Sequence, residues 1–257
     1  MYISCMGGRG GGGRRVGLAR ALSKMGECSR ARAAVLIRDG LVKLNGRVRR
    51  DPETPVELGV DEIVLGERVV LAREFVYLAL NKPRGVVTTA SDEKGRETVY
   101  AYLEKSLPWV APVGRLDKAS EGLLLLTNDS EWAGRILAPE SHVEKIYHVQ
   151  IRSTDPDAVA ELLSRGVASE GEFLRAQRVV VLRRGRSSAC LEIALEEGKN
   201  RQIRRMVDAC GAEVLRLVRV SIGRVELGTL AKGKVRELTA AEKKELDGKA
   251  AGKPKNI

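Results

Sequence analysis

Aromatic side chains are scarce in this chain, with two Phe, two Trp and five Tyr among 257 residues, and there are only two histidines and four cysteines. The core must therefore be built from Leu, Val, Ile and Ala. Cys5, Cys28, Cys190 and Cys210 contain no C-x-x-C pair, and His142 and His148 lie far from them in the sequence, so no metal site is indicated and no cofactor is expected. No apolar run approaches the roughly 18 residues of a membrane span, and no charged-then-apolar leader is seen, so no membrane partner is expected and the cytoplasm is the expected location. The glycine run Gly7-Gly8-Arg9-Gly10-Gly11-Gly12-Gly13 lacks the G-K-[ST] ending of a phosphate-cradling loop. It reads either as a flexible arm or as a misassigned start.

Positive charge, by contrast, is abundant and unevenly placed. Residues 1–50 hold twelve Lys and Arg against two acids, Glu27 and Asp39, so ten of the chain's net eleven positive charges fall in its first fifth. Such a segment attracts phosphate backbones and releases their counterions on binding. The length suits a small domain followed by a larger one. Helical spacing begins at Val16, with Gly26 as a C-cap candidate; Ser29 is an N-cap for a second helix, Arg30 to Arg38, and Asn45-Gly46 is a type I′ hairpin turn. Arg30, Arg32, Lys43 and Arg47 are placed to line a phosphate track.

The most informative stretch is Pro112-Val113-Gly114-Arg115-Leu116-Asp117-Lys118-Ala119-Ser120-Glu121-Gly122-Leu123-Leu124-Leu125-Leu126-Thr127-Asn128-Asp129. Four leucines between Gly122 and Asn128 suit a central strand covered on both faces. Asp117 then sits in a loop held by a rigid element, beside Arg115 and Lys118. It is a candidate catalytic group, with a loop-capping Asp as the alternative. Upstream, Phe75 to Leu80 reads as a buried strand stopped by Asn81-Lys82-Pro83-Arg84-Gly85 and resumed by Val86-Val87-Thr88-Thr89. Downstream come a strand over 144–151, a helix from Asp155 to Ser164, paired strands over 172–195, a helix opening at Gly198-Lys199-Asn200-Arg201-Gln202-Ile203-Arg204-Arg205-Met206, and closing strands over 214–227.

The string around Asp117 resembles the G-R-L-D-x-x-[ST]-x-G-L-L-L-h-T-N-[DE] signature of the pseudouridine synthases, in particular the RsuA/RluB-type branch acting on ribosomal RNA. Asn81 to Thr89 is similar to the N-K-P-x-G string of that branch, and Glu197 to Met206 to its E-G-[KR]-x-[HR]-Q-[IV]-[KR]-R-M string. Ser29 to Gly46 resembles the S4-like RNA-binding domain. Two departures are Arg201 where His is common and Ser130 where Gly is usual.

The resemblance implies an α+β fold. A small S4-like helix-helix-hairpin domain would precede a catalytic domain built on a mixed, largely antiparallel sheet with flanking helices. The boundaries expected are an arm at 1–13, the S4-like domain at 14–66, a linker at 67–74, the catalytic domain at 75–240 and a basic flexible tail at 241–257. The activity implied is conversion of a uridine in ribosomal RNA, or in a pre-ribosomal particle, to pseudouridine by a monomer, with the large subunit preferred.

Asp117 would be the catalytic carboxylate, whether by attacking the sugar, adding to the ring or removing the 2′ proton. Arg204 would pair with it, and Tyr147 would stack on the base. Leu217 would lie under the base and Arg115 would intrude into RNA or hold a phosphate. Lys82 and Arg201 are expected to contact RNA, although Lys82 also suits a structural turn. Two rivals remain: a non-catalytic RNA-binding ribosome-assembly factor, and a glycoside hydrolase, which needs a second suitably placed carboxylate.

Overall fold

The structure is a computed structural model that describes residues 15–90 and 92–250. It divides into two compact units, Met1–Glu74 and Phe75–Ile257. The arm expected at 1–13 and the end of the expected tail, 251–257, lie outside the described residues.

The first unit runs β1 (Val16–Gly17), α1 (Leu18–Lys24), α2 (Arg30–Arg38), β2 (Val42–Leu44), β3 (Arg47–Arg49), β4 (Pro55–Val56), β5 (Ile63–Leu65) and β6 (Arg68–Val69). The Ser29 hydroxyl accepts from the Arg32 amide at 3.1 Å and so caps α2. Asn45 and Gly46 both take positive φ, 50° and 76°, as the turn between β2 and β3 requires. Leu18, Leu22, Ala33, Ile37, Val42 and Ile63 close a separate core. The segment expected to be a linker from residue 67 instead extends this unit: β6 pairs with β5, and Val70 is buried in the same core.

The second unit runs β7 (Tyr77–Lys82), β8 (Ala111–Val113), β9 (Glu121–Thr127), α3 (Ser130–Leu137), β10 (Lys145–Arg152), α4 (Pro156–Arg165), β11 (Val167–Ser169), β12 (Glu172–Leu174), β13 (Arg178–Arg184), β14 (Ser188–Leu195), α5 (Gln202–Ala209), β15 (Glu213–Ile222), β16 (Val225–Glu226), β17 (Val235–Glu237) and α6 (Ala240–Ala250). Its main sheet has the order β13-β14-β10-β15-β9-β7-β17, with β8 added to β9 and β16 to β15. Every pair along that path is antiparallel except β9 with β15.

β9 is buried along its whole length. Successive side chains of a strand face opposite ways, so Leu124 and Leu126 enter one core, with Val159, Leu163, Ile203 and Met206 of α4 and α5. Leu123 and Leu125 enter the other, with Trp132 and Ile136 of α3 and Leu246 of α6. Each buried leucine contributes roughly 1.5–3 kcal/mol. The strand that leaves the Asp117 loop is consequently anchored in a core on each face.

Two expectations are corrected. The tail expected to be flexible from residue 241 begins as helix α6, and Leu246 is buried. The physical signal is a capping box: the Thr239 hydroxyl accepts from the Glu242 amide at 3.2 Å, and Glu242 Oε2 accepts from the Thr239 amide at 2.8 Å. The strand expected to resume at Val86 does not form. Gly85, φ 94°, turns the chain and donates to the Lys118 carbonyl, after which Val87 makes only an isolated parallel bridge with Thr98, its amide donating to the Glu97 carbonyl at 3.0 Å and its carbonyl accepting from the Val99 amide at 3.1 Å.

At the head of β9, Glu121 is buried and its carboxylate receives Arg216 through two bonds of 3.1 Å and Lys232 at 2.7 Å. The Arg216 hydrogen bond, with help from Lys232 and against the cost of burial, pulls its pKa to about 2. A carboxylate depressed in the folded state stabilises it above the unfolded pKa, and loses that contribution as pH falls toward the folded value. The contribution, at most roughly 3 kcal/mol, is expected to vanish between about pH 4.5 and pH 2. Urea unfolding across that range should give a steeper loss for the wild type than for Glu121→Gln; parallel curves would mean the pairs do not form.

Candidate active site

The loop carrying Asp117 is pinned from below by the segment that follows β7. Lys82 is fully buried, and its Nζ donates to the carbonyls of Pro83 at 3.0 Å, Asp117 at 3.2 Å and Ser120 at 2.8 Å. Burial lowers its pKa to about 8, with the charges of Asp117 and Glu121 opposing the fall. Thr88 Oγ1 donates to the Leu116 carbonyl at 2.8 Å, and the Gly85 amide to the Lys118 carbonyl at 2.7 Å. Within the loop, the Ser120 amide donates to the Asp117 carbonyl at 2.9 Å. Lys82 is therefore a clamp on the loop backbone and is not available to RNA, which corrects the contact expected from the sequence.

Asp117 is half-buried in a cleft of about 440 Å³ lined also by Arg115, Tyr147, Arg201, Arg204 and Leu217. These come from four places: the loop before β9, strand β10, the start of α5 and strand β15. Tyr147 and Leu217 are buried with only an edge open, while Arg115 and Arg201 are exposed at the rim. Arg201 is the N-cap of α5, in the left-handed region at φ 47°. Residues far apart in the sequence thus meet Asp117 in one cleft.

Arg204 stands close but not as expected. Its Nη2 donates to the Ala119 carbonyl at 3.1 Å, so it braces the loop from the helix side, and no direct hydrogen bond joins it to the Asp117 carboxylate. The two are electrostatic neighbours: burial and Arg201 push the Arg204 pKa down, and the charge of Asp117 pushes it up. A half-buried carboxylate that water still reaches does not need a contact cation. The ion pair inferred from the motif is replaced by a guanidinium held beside the loop.

Two residues escaped the sequence reading. Lys145 lies two positions before Tyr147, and Arg219 two after Leu217; the period of two that places Tyr147 and Leu217 in the cleft places these there as well. Lys145 Nζ donates to the carbonyls of Val143 at 2.8 Å and Glu196 at 3.0 Å, and burial, aided by Arg219, lowers its pKa to about 8. Arg219 is 4% exposed. That alternation was the signal available for both.

In the first unit, Arg30, Arg32, Lys43 and Arg47 are all exposed, and none has an acidic partner among the described residues. They form a basic surface on α2 and the β2–β3 hairpin.

Residues 76–209 match the family model for RNA pseudouridylate synthase. The chain belongs to that family. The pseudouridine synthase fold accounts for the second unit, and residues 16–62 match the S4 domain. The chain is 36% identical over 231 residues to the ribosomal large subunit pseudouridine synthase B of Bacillus subtilis (strain 168), covering 89% of this chain and 94% of that protein. It is 34% identical to a protein of Aquifex aeolicus (strain VF5) named as an uncharacterized RNA pseudouridine synthase, over 90% and 93% of the two chains. A solved structure titled as a pseudouridylate synthase superposes with a TM-score of 0.63 at 30% identity, covering 90% of this chain and 99% of that one. Among the described residues no group of His, Cys, Asp and Glu could hold a metal ion, and no helix is long and apolar enough to cross a membrane.

Proposed function

We propose that this pseudouridine synthase isomerises a specific uridine of ribosomal RNA, the large subunit being preferred, with Asp117 as the catalytic carboxylate. The observation that carries this reading is the convergence of Asp117, Tyr147, Arg204 and Leu217 in one cleft of the second unit. Isomerisation breaks the bond between the sugar and N1 of uracil, turns the base and rejoins it through C5, with no redox change. A flat Tyr147 and an apolar Leu217 suit the two faces of a base flipped out of its stack. Asp117, half-buried in the cleft with Arg204 beside its loop, is placed for attack or proton abstraction. Arg115 and Arg201 at the rim suit the flanking phosphates. The reaction needs no cofactor, and the chain acts as a monomer with an RNA or a pre-ribosomal particle in the cytoplasm.

The large-subunit preference rests on the name of the Bacillus subtilis relative and on its coverage of nearly the whole chain. Incubating both ribosomal RNA transcripts with the protein, labelling with a carbodiimide and mapping reverse-transcription stops tests it. One new stop in large-subunit RNA is the expected result. Stops confined to small-subunit RNA would reassign the substrate, and none in either would favour a binding factor without catalysis.

The basic first unit is proposed as the RNA anchor. The two units share no core residue, so a chain starting at Phe75 should fold cooperatively alone. Its RNA affinity is expected to fall, and the salt dependence of binding to flatten by about 0.9 in log–log slope for each duplex phosphate that the shortened chain no longer neutralises. Unchanged affinity and slope would mean that the first unit does not touch the RNA.

A further inference from the structure

We propose that Arg219 is a substrate-contacting catalytic residue, whose guanidinium donates to the uracil ring as the base leaves the sugar with the electron pair of the broken carbon–nitrogen bond. This rests on the uridine isomerisation proposed above and adds a residue to it.

The geometry is that of a donor without a partner. Arg219 is 4% exposed, lines the cleft, and lies opposite Tyr147 where β15 pairs with β10. Its Nε donates to the Leu123 carbonyl at 2.7 Å, which fixes the plane of the guanidinium. Its Nη2 is buried with no hydrogen-bond partner. A buried N–H left unpaired is a standing cost that folds seldom tolerate without a use. Arg216, three positions earlier on the same strand, differs: its guanidinium is held by Glu121. No carboxylate pairs with Arg219 among the described residues, and none bonds its neighbour in the cleft, Lys145, whose bonds go to two backbone carbonyls. A buried guanidinium and a half-buried ammonium therefore line the cleft with no carboxylate bonded to either.

The reaction supplies the anion they lack. Heterolysis of the bond between the anomeric carbon and N1 leaves both electrons on uracil, whose negative charge spreads over N1, O2 and O4. The sugar's deficit is met by a bond from Asp117 to the anomeric carbon, which breaks when C5 attacks, or by loss of the 2′ proton, which returns to C2′ as C5 adds. When C5 joins the anomeric carbon, the C5 proton departs and N1 is protonated, so substrate and product are isomers and Arg219 keeps its proton throughout. A fixed donor in a dry site stabilises charge that develops only at the transition state. A flanking phosphate is the less suitable acceptor. Arg219 lies on the floor beside Tyr147 and Leu217, where the base sits, whereas the exposed Arg115 and Arg201 occupy the rim.

The test compares leaving groups. Large-subunit ribosomal RNA is transcribed with uridine or with 5-fluorouridine, whose fluorine makes the departing base a weaker base. Single-turnover loss of the N-linked nucleoside at the modified site is followed by mass spectrometry of nuclease digests, for full-length wild type, Arg219→Met and Arg219→Lys. Conversion of uridine by the wild type is the control for the reading on which this rests. Arg219→Met is expected to slow the uridine reaction about a hundredfold, with RNA affinity by filter binding within twofold of wild type, and the defect is expected to shrink to about tenfold with 5-fluorouridine. Arg219→Lys, which keeps the charge and the fold should the Met variant fail to fold, is expected to show a smaller defect with the same dependence on the leaving group. Equal defects on the two RNAs for both variants, or no defect on uridine, would overturn the proposal.

Discussion

Asp117→Asn is expected to abolish product formation, lowering the single-turnover rate by about 10⁴-fold or more, while leaving the melting temperature and RNA affinity near wild type. The amide has nearly the shape of the carboxylate, and the loop is held through its backbone. Lys82 bonds the carbonyls of Asp117 and Ser120, Gly85 the carbonyl of Lys118, Thr88 that of Leu116 and Arg204 that of Ala119. None of these bonds uses the Asp117 side chain, so its chemistry can be removed without removing its support. Carbodiimide mapping of the target site, alongside thermal unfolding and filter binding, reads all three quantities. Turnover within tenfold of wild type would end the assignment of Asp117, and a fall in melting temperature of many degrees would mean that the carboxylate holds the loop.

The largest loss of stability is expected from Gly122→Ala, at the junction of the Asp117 loop with β9. Gly122 has φ 100°, and a Cβ there would stand 2.3 Å from the Arg219 carbonyl oxygen and 2.8 Å from its amide nitrogen. Both obstacles are backbone, and neither can swing aside. Gly122 pairs with Lys82 on one side and Arg219 on the other, so moving it means breaking the register of the central strand. A cost of about 4 kcal/mol or more is expected, which in a unit of this size lowers the melting temperature by roughly 10 °C or prevents folding. Gly134→Ala is the control. It lies in α3 with nothing near its added Cβ, and gains about 0.5–1 kcal/mol from a less flexible unfolded chain. A Gly122→Ala protein as stable as the control would contradict the close parallel pairing of β9 with β15.

Much of the fold was legible in the residues. Ser29 as a cap and Asn45-Gly46 as a turn are local signals whose partners lie within a few positions, and both formed as read. The apolar run at Leu123 to Leu126 announced a strand covered on both faces, because only burial on two sides tolerates four leucines in a row. Thr239 and Glu242 also carried a local signal, the capping box of α6, but the surrounding Lys, Ala and Gly disguised it and only the burial of Leu246 gives it weight.

The sequence by itself determined most of the long elements, the order of the motifs and the candidacy of Asp117, since periodicity, turns and caps are written in neighbouring residues. Tertiary structure alone decided what each cation does. Four basic residues marked by the motifs became a clamp under the loop, a brace beside it and two exposed groups at the rim: Lys82, Arg204, Arg201 and Arg115 in turn. It also brought in Lys145 and Arg219, whose roles depend on register between β10 and β15. The physical reason is that a charge is defined by its partners and its solvation. For Lys82, Arg204 and Arg219, carbonyl partners lie 35 to 96 positions away.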